Sequence, residues 1–149
     1  MPGATTGTVR GVLRVEGLCV LVASIACYAK FGPGWGVFAA CFLAPDLSFF
    51  GYLAGARAGS IAYNAAHSYI GAVACLCAGI LSSSPILVAA GLIWCAHIGF
   101  DRALGYGLKY SQGFASTHLG LIGRAKKAAN RSIERAASSS LEAATHVER

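Results

Sequence analysis

Seven ionisable residues lie inside otherwise apolar segments of the sequence, and these are the residues best suited to chemistry: Arg14, Glu16, Asp46, His67, His97, Asp101 and Arg102. Placing an ionisable group in a lipid-embedded helix costs free energy. Each of these residues is therefore expected to have a partner, to contact water or to serve a function. A carboxylate beside an imidazole, with an arginine to hold an anionic group, is a minimal set for proton transfer. The residue types therefore favour acid–base chemistry.

The spacing of these residues groups some of them on shared helix faces. Tyr63 and Asn64 lie four and three residues before His67, and residues at these spacings are neighbours on a helix. His97 and Asp101 are four apart, where a carboxylate can hydrogen-bond an imidazole and fix its tautomer.

The predicted site has two sets of residues. The catalytic set is Asp46, His67, His97 and Asp101, and the substrate-binding set is Glu16, Tyr63, Asn64 and Arg102. Adjacent residues on a helix point about 100° apart, so we expect Arg102 to pair with a carboxylate of another helix, Glu16 or Asp46, rather than with Asp101. For Arg14 and Arg102, snorkelling to the lipid headgroups is an equal alternative.

A metal site is the competing interpretation of the same residues. Two histidines and up to three carboxylates are suitable ligands for a first-row metal. No H-x3-H or E-x-x-H pattern lies on any predicted helix. We therefore favour acid–base chemistry and predict no metal and no other cofactor.

The composition indicates a membrane protein. Of the 149 residues, 56% are hydrophobic and 12% are charged, whereas soluble domains carry about 25% charged residues. The 19 glycines lie largely among alanines and serines in apolar runs, and small residues let membrane helices approach closely. The six cysteines also lie in apolar segments without C-x-x-C spacing, so we predict neither disulfides nor a zinc site from them.

Four apolar segments have about the length of 20 residues that a bilayer crossing needs. They run from about Val12 to Lys30, Trp35 to Gly55 with an interruption at Pro45, Ser60 to Leu81, and Ile86 to Tyr106. The Ser82–Pro85 turn makes the last two an antiparallel hairpin. The predicted fold is an all-α, four-helix transmembrane bundle (1–123), followed by a basic cytoplasmic helix or tail (124–149). The short N-terminus predicts that the first apolar run is a retained helix.

Basic residues set the predicted orientation. Arg10, Arg14, Arg57, Lys109 and the basic tail fall on one side, and Lys30 alone falls on the other. The positive-inside rule then places both termini in the cytoplasm. The predicted site residues all fall in the cytoplasmic half of the helices, which predicts one polar cavity opening inward. No aromatic residues interleave with the bases of the tail, so we predict the lipid bilayer as a partner and no nucleic acid.

The segments Tyr63-Asn-Ala-Ala-His-Ser-Tyr69, Ala96-His-Ile-Gly-Phe-Asp-Arg-Ala-Leu-Gly-Tyr-Gly-Leu-Lys-Tyr110 and Thr117-His-Leu-Gly120 carry a family resemblance. With Leu13–Gly17 and Pro45–Ser48, they resemble a family of small bacterial four-helix membrane proteins classed as a domain of unknown function. The resemblance covers about Val12 to Gly123. It implies a four-helix fold in the cell inner membrane and no particular activity.

Three functions are consistent with the sequence. The first is a membrane-embedded enzyme that uses acid–base chemistry on a lipophilic small molecule; no G-x-S-x-G nucleophile motif is present. The second is a small proton-coupled transporter, because a carboxylate in the first of four short helices is typical of small multidrug exporters, which work as homodimers. The third is a non-catalytic membrane subunit in which the polar groups hold helices together.

Overall fold

A computed structural model describes residues 5, 7–110, 116–121, 127–135 and 137–139. The helices are α1 (Gly7–Phe31), α2 (Trp35–Cys41), a 3₁₀ helix (Ala44–Ala54), α3 (Ala56–Ala66), α4 (Tyr69–Leu81) and α5 (Pro85–Leu104). Two-residue strands β1 (Ser116–Thr117) and β2 (Gly120–Leu121) form an antiparallel pair. Residues 127–135 are helical. The fold is an all-α bundle, as predicted; the boundary at 123/124 stays a prediction.

Four segments are long and apolar enough to cross a membrane: Gly7–Phe31, Trp35–Ala54, Ala56–Leu81 and Pro85–Leu104. Their outer surfaces carry large apolar side chains such as Leu53, Ile70 and Ile86, which are 87%, 81% and 79% exposed. Exposing such an apolar surface to water would cost free energy, whereas exposing it to lipid would not. The chain is therefore described as a four-span membrane protein.

The first and last spans pack closely because glycine lies at their crossing. A Cβ at Gly17 of α1 would overlap the Cβ of Arg102 on α5, and one at Gly99 would lie 2.7 Å from the Gly17 carbonyl oxygen. Arg14 adds a bond across the same contact, from Nε to the Ala103 carbonyl oxygen at 2.8 Å. Close approach of small residues is the usual way in which membrane helices gain packing energy.

The last two spans form the predicted antiparallel hairpin. The turn passes through Ser82, Ser83 and Ser84, and Ser83 has a positive φ of 51°. Close packing continues from the turn, since a Cβ at Gly79 would lie 2.6 Å from the Val88 backbone nitrogen. Span 4 ends at Leu104, two residues before the predicted end, because Gly105 adopts the left-handed conformation that stops a helix.

Spans 2 and 3 are both interrupted in the middle. In span 2 the break precedes Pro45, as expected, and the chain continues as the 3₁₀ helix. Span 3 was predicted to be continuous from about Ser60. It begins instead at Ala56, and breaks between α3 and α4 at His67 and Ser68. The two breaks leave Asp46 and His67 at helix ends, whereas His97 and Asp101 lie on the uninterrupted α5.

Candidate functional site

The four residues predicted to be catalytic lie together where spans 2, 3 and 4 meet. His67 Nε2 lies 3.2 Å from His97 Nε2 and 3.3 Å from Asp46 Oδ1. The same His67 atom is 3.6 Å from Asp101 Oδ2, and His97 Nε2 is 3.6 Å from Asp46 Oδ1. We call Asp46, His67, His97 and Asp101 the polar cluster. Its catalytic role stays a prediction.

The interruptions of spans 2 and 3 position two members of the polar cluster. Asp46 lies in the first turn of the 3₁₀ helix, directly after Pro45, and its backbone nitrogen donates to the Leu43 carbonyl oxygen at 3.0 Å. His67 is the residue that ends α3, and its backbone nitrogen donates to the Tyr63 carbonyl oxygen at 2.8 Å. His97 and Asp101 come from one face of α5, as their spacing predicts.

A broken helix leaves carbonyl oxygens without intrahelical partners, and inside a membrane these need other donors. Two side chains of α5 supply them at the break in span 3. Trp94 Nε1 donates to the Ala66 carbonyl oxygen at 2.6 Å, and Arg102 Nη2 donates to the His67 carbonyl oxygen at 3.1 Å. The break is therefore fixed in place by α5, which also carries His97 and Asp101.

Aromatic rings enclose the two imidazoles. The Tyr63 ring stacks on His67 with centroids 3.8 Å apart, and its hydroxyl donates to Asp101 Oδ2 at 3.2 Å. Phe42 meets the His97 ring edge-on at 5.3 Å. Both histidines are buried, at 2% and 1% exposure. Tyr63 thus orients one imidazole and one carboxylate at once.

The hydrogen bond of His67 to the Tyr63 carbonyl oxygen defines which ring nitrogen is protonated. His67 Nδ1 lies 3.0 Å from the Tyr63 carbonyl oxygen, which can only accept, so Nδ1 carries the proton. Neutral His67 then has an unprotonated Nε2, and this is the atom that faces His97, Asp46 and Asp101. His97 Nδ1 is buried and has no hydrogen-bond partner among the described residues.

An apolar groove of about 700 Å³ runs beside the polar cluster, between spans 2 and 4. Its lining includes Pro45 and Ala66, the residues directly before Asp46 and His67. Val37, Ala90 and Trp94 also line it. The carboxylate of Asp46 is 34% exposed, more than that of Asp101 at 18%. Asp46 is therefore the cluster member most accessible from outside.

The predicted substrate-binding residues do not all lie at the polar cluster. Tyr63 does. Asn64 instead binds the chain after span 4. Its Nδ2 donates to the Lys109 carbonyl oxygen at 2.8 Å, and its Oδ1 accepts from the Lys109 backbone nitrogen at 2.7 Å.

Glu16 and Arg102 do not pair with each other. Glu16 is exposed on α1. Arg102 forms no ion pair with Glu16 or Asp46 in the described part of the chain; its partners are the His67 and Tyr106 carbonyl oxygens.

Lys109 was not predicted to belong to the site, yet it lies beside it. The side chain is 5% exposed, and Nζ lies 4.5 Å from the ring centroid of Tyr63 and 4.9 Å from that of Phe49. Burial lowers the pKa of Lys109 to about 8, against the opposing attraction of Asp101 and Asp46. In the sequence, Lys109 appeared only as one of the basic residues that set the orientation.

His118 lies between β1 and β2, in the segment that follows span 4. It is half-buried, and its Nδ1 accepts a hydrogen bond from the Leu108 backbone nitrogen at 2.9 Å. Burial lowers the pKa of His118, and the positive charge of Arg102 acts in the same direction. The neighbouring Leu119 is completely buried. Lys109, His118 and Leu119, among the described residues after span 4, are thus packed into the fold.

Residues 10–122 match the family described as Domain of unknown function (DUF4260). No curated protein and no solved structure matches the chain. The chain belongs to the DUF4260 family, in agreement with the resemblance seen in its motifs.

Proposed function

We propose that this DUF4260 member is a membrane-embedded enzyme that transfers protons to or from a lipophilic substrate at the polar cluster. The observation that carries the proposal is the convergence on His67 Nε2. Three groups able to exchange a proton with it, on His97, Asp46 and Asp101, lie within 3.2–3.6 Å. General acid–base catalysis requires such groups within hydrogen-bond reach of one another or of the reacting atoms.

The groove supports a lipophilic substrate. It is almost entirely apolar and lies against the lipid-facing side of spans 2 and 4, with Pro45 and Ala66 at the polar cluster. An amphiphile with its hydrocarbon chain in the groove would bring its polar end to Asp46. Pockets of this kind, mostly apolar with a few convergent polar groups, are typical of small-molecule sites.

Asp101 and Tyr63 are proposed to keep His67 ready for proton transfer. The Tyr63 hydroxyl donates to Asp101 Oδ2, so this carboxylate is held in place beside His67 Nε2. The Tyr63 carbonyl oxygen fixes the His67 tautomer from the other side of the ring. A proton taken up at Nε2 would therefore be stabilised by Asp46 and Asp101 without movement of the ring.

The transporter and subunit alternatives have less support. A transporter of the small multidrug type uses a carboxylate of its first helix, but Glu16 is exposed and makes no hydrogen bond or ion pair to the polar cluster in the described residues. A purely structural role would be served by paired charges that hold helices together. Here Arg102 binds carbonyl oxygens, while two carboxylates and two imidazoles face each other.

The experiment compares proteoliposomes containing wild-type protein with proteoliposomes containing Asp101→Asn, both prepared with a total bacterial lipid extract in D₂O buffer. We expect at least one extracted lipid or isoprenoid to change in mass, by conversion or deuterium uptake, with the wild type only. Ala90→Trp should also abolish the change by filling the groove, because Ala90 lines it.

Ala74→Trp is the matched control, since Ala74 is likewise exposed but lies on α4, outside the groove lining. This variant should behave as the wild type does. If no extracted species distinguishes the wild type from Asp101→Asn, the enzymatic proposal is wrong.

A further inference from the structure

We propose that Asp46, His67 and His97 bind a divalent transition metal, and that Zn²⁺ is the ion which fits them best. One ligand atom from each residue contributes to a compact triangle: His67 Nε2 to His97 Nε2 is 3.2 Å, His67 Nε2 to Asp46 Oδ1 is 3.3 Å, and His97 Nε2 to Asp46 Oδ1 is 3.6 Å. This proposal rests on the proposed function and changes one role in it: with a metal bound, His67 Nε2 is a ligand, and the proton acceptor is Asp101 rather than His67.

The size of the triangle matches tetrahedral coordination. Zinc binds imidazole nitrogen at about 2.0–2.1 Å, so tetrahedral ligand atoms lie about 3.3–3.4 Å apart. An octahedral ion with ligands at about 2.0–2.2 Å would place adjacent ligand atoms only about 2.8–3.1 Å apart. The three distances lie around the tetrahedral value, which favours a tetrahedral ion.

The protonation of His67 suits a metal ligand. Its Nδ1–H donates to the Tyr63 carbonyl oxygen, which leaves the Nε2 lone pair directed at the triangle. Metal-binding histidines usually have this second hydrogen bond, because it fixes the ring and its tautomer. Trp94 and Arg102 hold the backbone on either side of His67, at the carbonyl oxygens of Ala66 and His67.

The polar cluster brings together more hydrogen-bond acceptors than its own hydrogens can satisfy. His67 Nε2 faces His97 Nε2 and two carboxylate oxygens, and His97 can supply at most one hydrogen to that position. Asp46 and Asp101 repel one another, and the nearby Lys109 supplies one positive charge that attracts both. A divalent cation within the triangle would meet three lone pairs and would directly balance the charge of its ligand Asp46.

Asp101 lies outside the ligand set. The group whose ligand atoms all fall within 4.8 Å of one another contains Asp46, His67 and His97 only, among the described residues. Three protein ligands leave a tetrahedral ion with one open position, as in catalytic zinc sites. Asp101, held by Tyr63 beside the ligands, would then serve as the proton acceptor of the proposed reaction.

The test uses the 149-residue chain purified in detergent, from which a chelator has removed metal. Zn²⁺ binding is then measured by calorimetric titration, and the bound metal is counted by mass spectrometry. We expect one zinc ion per chain. Asp46→Asn and His97→Gln should each weaken binding by at least about 100-fold, since removal of even an outer-shell partner can cost up to that much. Asp101→Asn is the matched control, with the same chemical change beside the cluster, and should retain the metal.

Cobalt gives a second measurement that needs no variant. Co²⁺ in the wild-type site should show the intense visible absorption of tetrahedral coordination, and a weak octahedral spectrum would overturn the assignment. Absence of stoichiometric zinc in the wild type, or equal binding by Asp46→Asn and Asp101→Asn, would also overturn it. Zinc binding without any Asp101-dependent change in lipids would refute the proposed enzyme alone, whereas such a change in a protein that binds no stoichiometric zinc would refute the metal alone.

Discussion

The crossing of the first and last spans should be highly sensitive to a single methyl group at Gly17. A Cβ at this position would overlap the Cβ of Arg102 and would lie 3.0 Å from both the Ala103 backbone nitrogen and the Gly99 carbonyl oxygen. Two of these three neighbours are backbone atoms of α5, which cannot rotate away. Gly17→Ala should therefore push α1 and α5 apart.

The size of the effect is best measured against Gly11→Ala on the same helix. A Cβ at Gly11 would have no atom within 4 Å, so that substitution gains helix propensity without any steric cost. The same gain, about 1 kcal/mol, applies at Gly17 and cancels in the comparison. What remains is the cost of overpacking, so Gly17→Ala should be less stable than Gly11→Ala by about 1–3 kcal/mol.

The assay is unfolding by increasing SDS fraction in mixed micelles, followed by circular dichroism. Gly11→Ala should unfold at or above the wild-type SDS fraction, and Gly17→Ala clearly below it. Equal unfolding midpoints for the two variants would refute the close crossing of α1 and α5. Equal midpoints would also mean that the packing of α1 against α5 does not position Arg102 at the break in span 3.

Three further predictions concern orientation, pH and thiols. A reporter fused after Arg149 should report the cytoplasm and one inserted at Ser83 the opposite side; matching signals would contradict the single crossing by span 4 that separates the two sites. Folding lowers the pKa of Lys109 from 10.5 to about 8. Between about pH 8 and pH 10.5 the unfolded chain therefore binds more protons than the folded chain, and the free energy of unfolding should rise with pH over this range. Lys109→Met should remove that rise, and an unchanged pH profile in this variant would assign the effect to other groups. All six cysteines are free thiols: Cys19, Cys27, Cys41, Cys75, Cys77 and Cys95. Their joint replacement by Ala or Ser should therefore leave the helix content unchanged. A mass change of the purified protein on reduction would reveal a disulfide and contradict this prediction.

Much of the polar cluster could be anticipated from depth along the helices. Asp46, His67, His97 and Asp101 all fall at similar distances from one predicted membrane surface, and the structure brings these four side chains together. The break in span 3 could not be anticipated, because no glycine or proline lies at His67 or Ser68. It depends on donors from another helix, Trp94 and Arg102, which satisfy the freed carbonyl oxygens.

The positions of Arg102 and Glu16 could not be predicted from the free-energy cost of placing a charge in the membrane. Both were predicted to bind substrate, with Arg102 paired to a carboxylate of another helix. A guanidinium inside a membrane needs acceptors, but backbone carbonyl oxygens at a helix break serve as well as a carboxylate does. The choice between them depends on the rotation of α5 relative to α3, which no single helix encodes.

The sequence by itself determined the four apolar spans, their breaks at Pro45 and the serine turn, and the types of group available for chemistry. These follow from hydropathy and local backbone preferences, which each segment carries alone. Only the tertiary structure decided that His67, His97 and Asp46 face one another at 3.2–3.6 Å while Glu16 stays outside. Such distances depend on how the helices cross and rotate, and close contacts between backbones of spans 3 and 4, as at Leu76 and Gly91, contribute to that geometry.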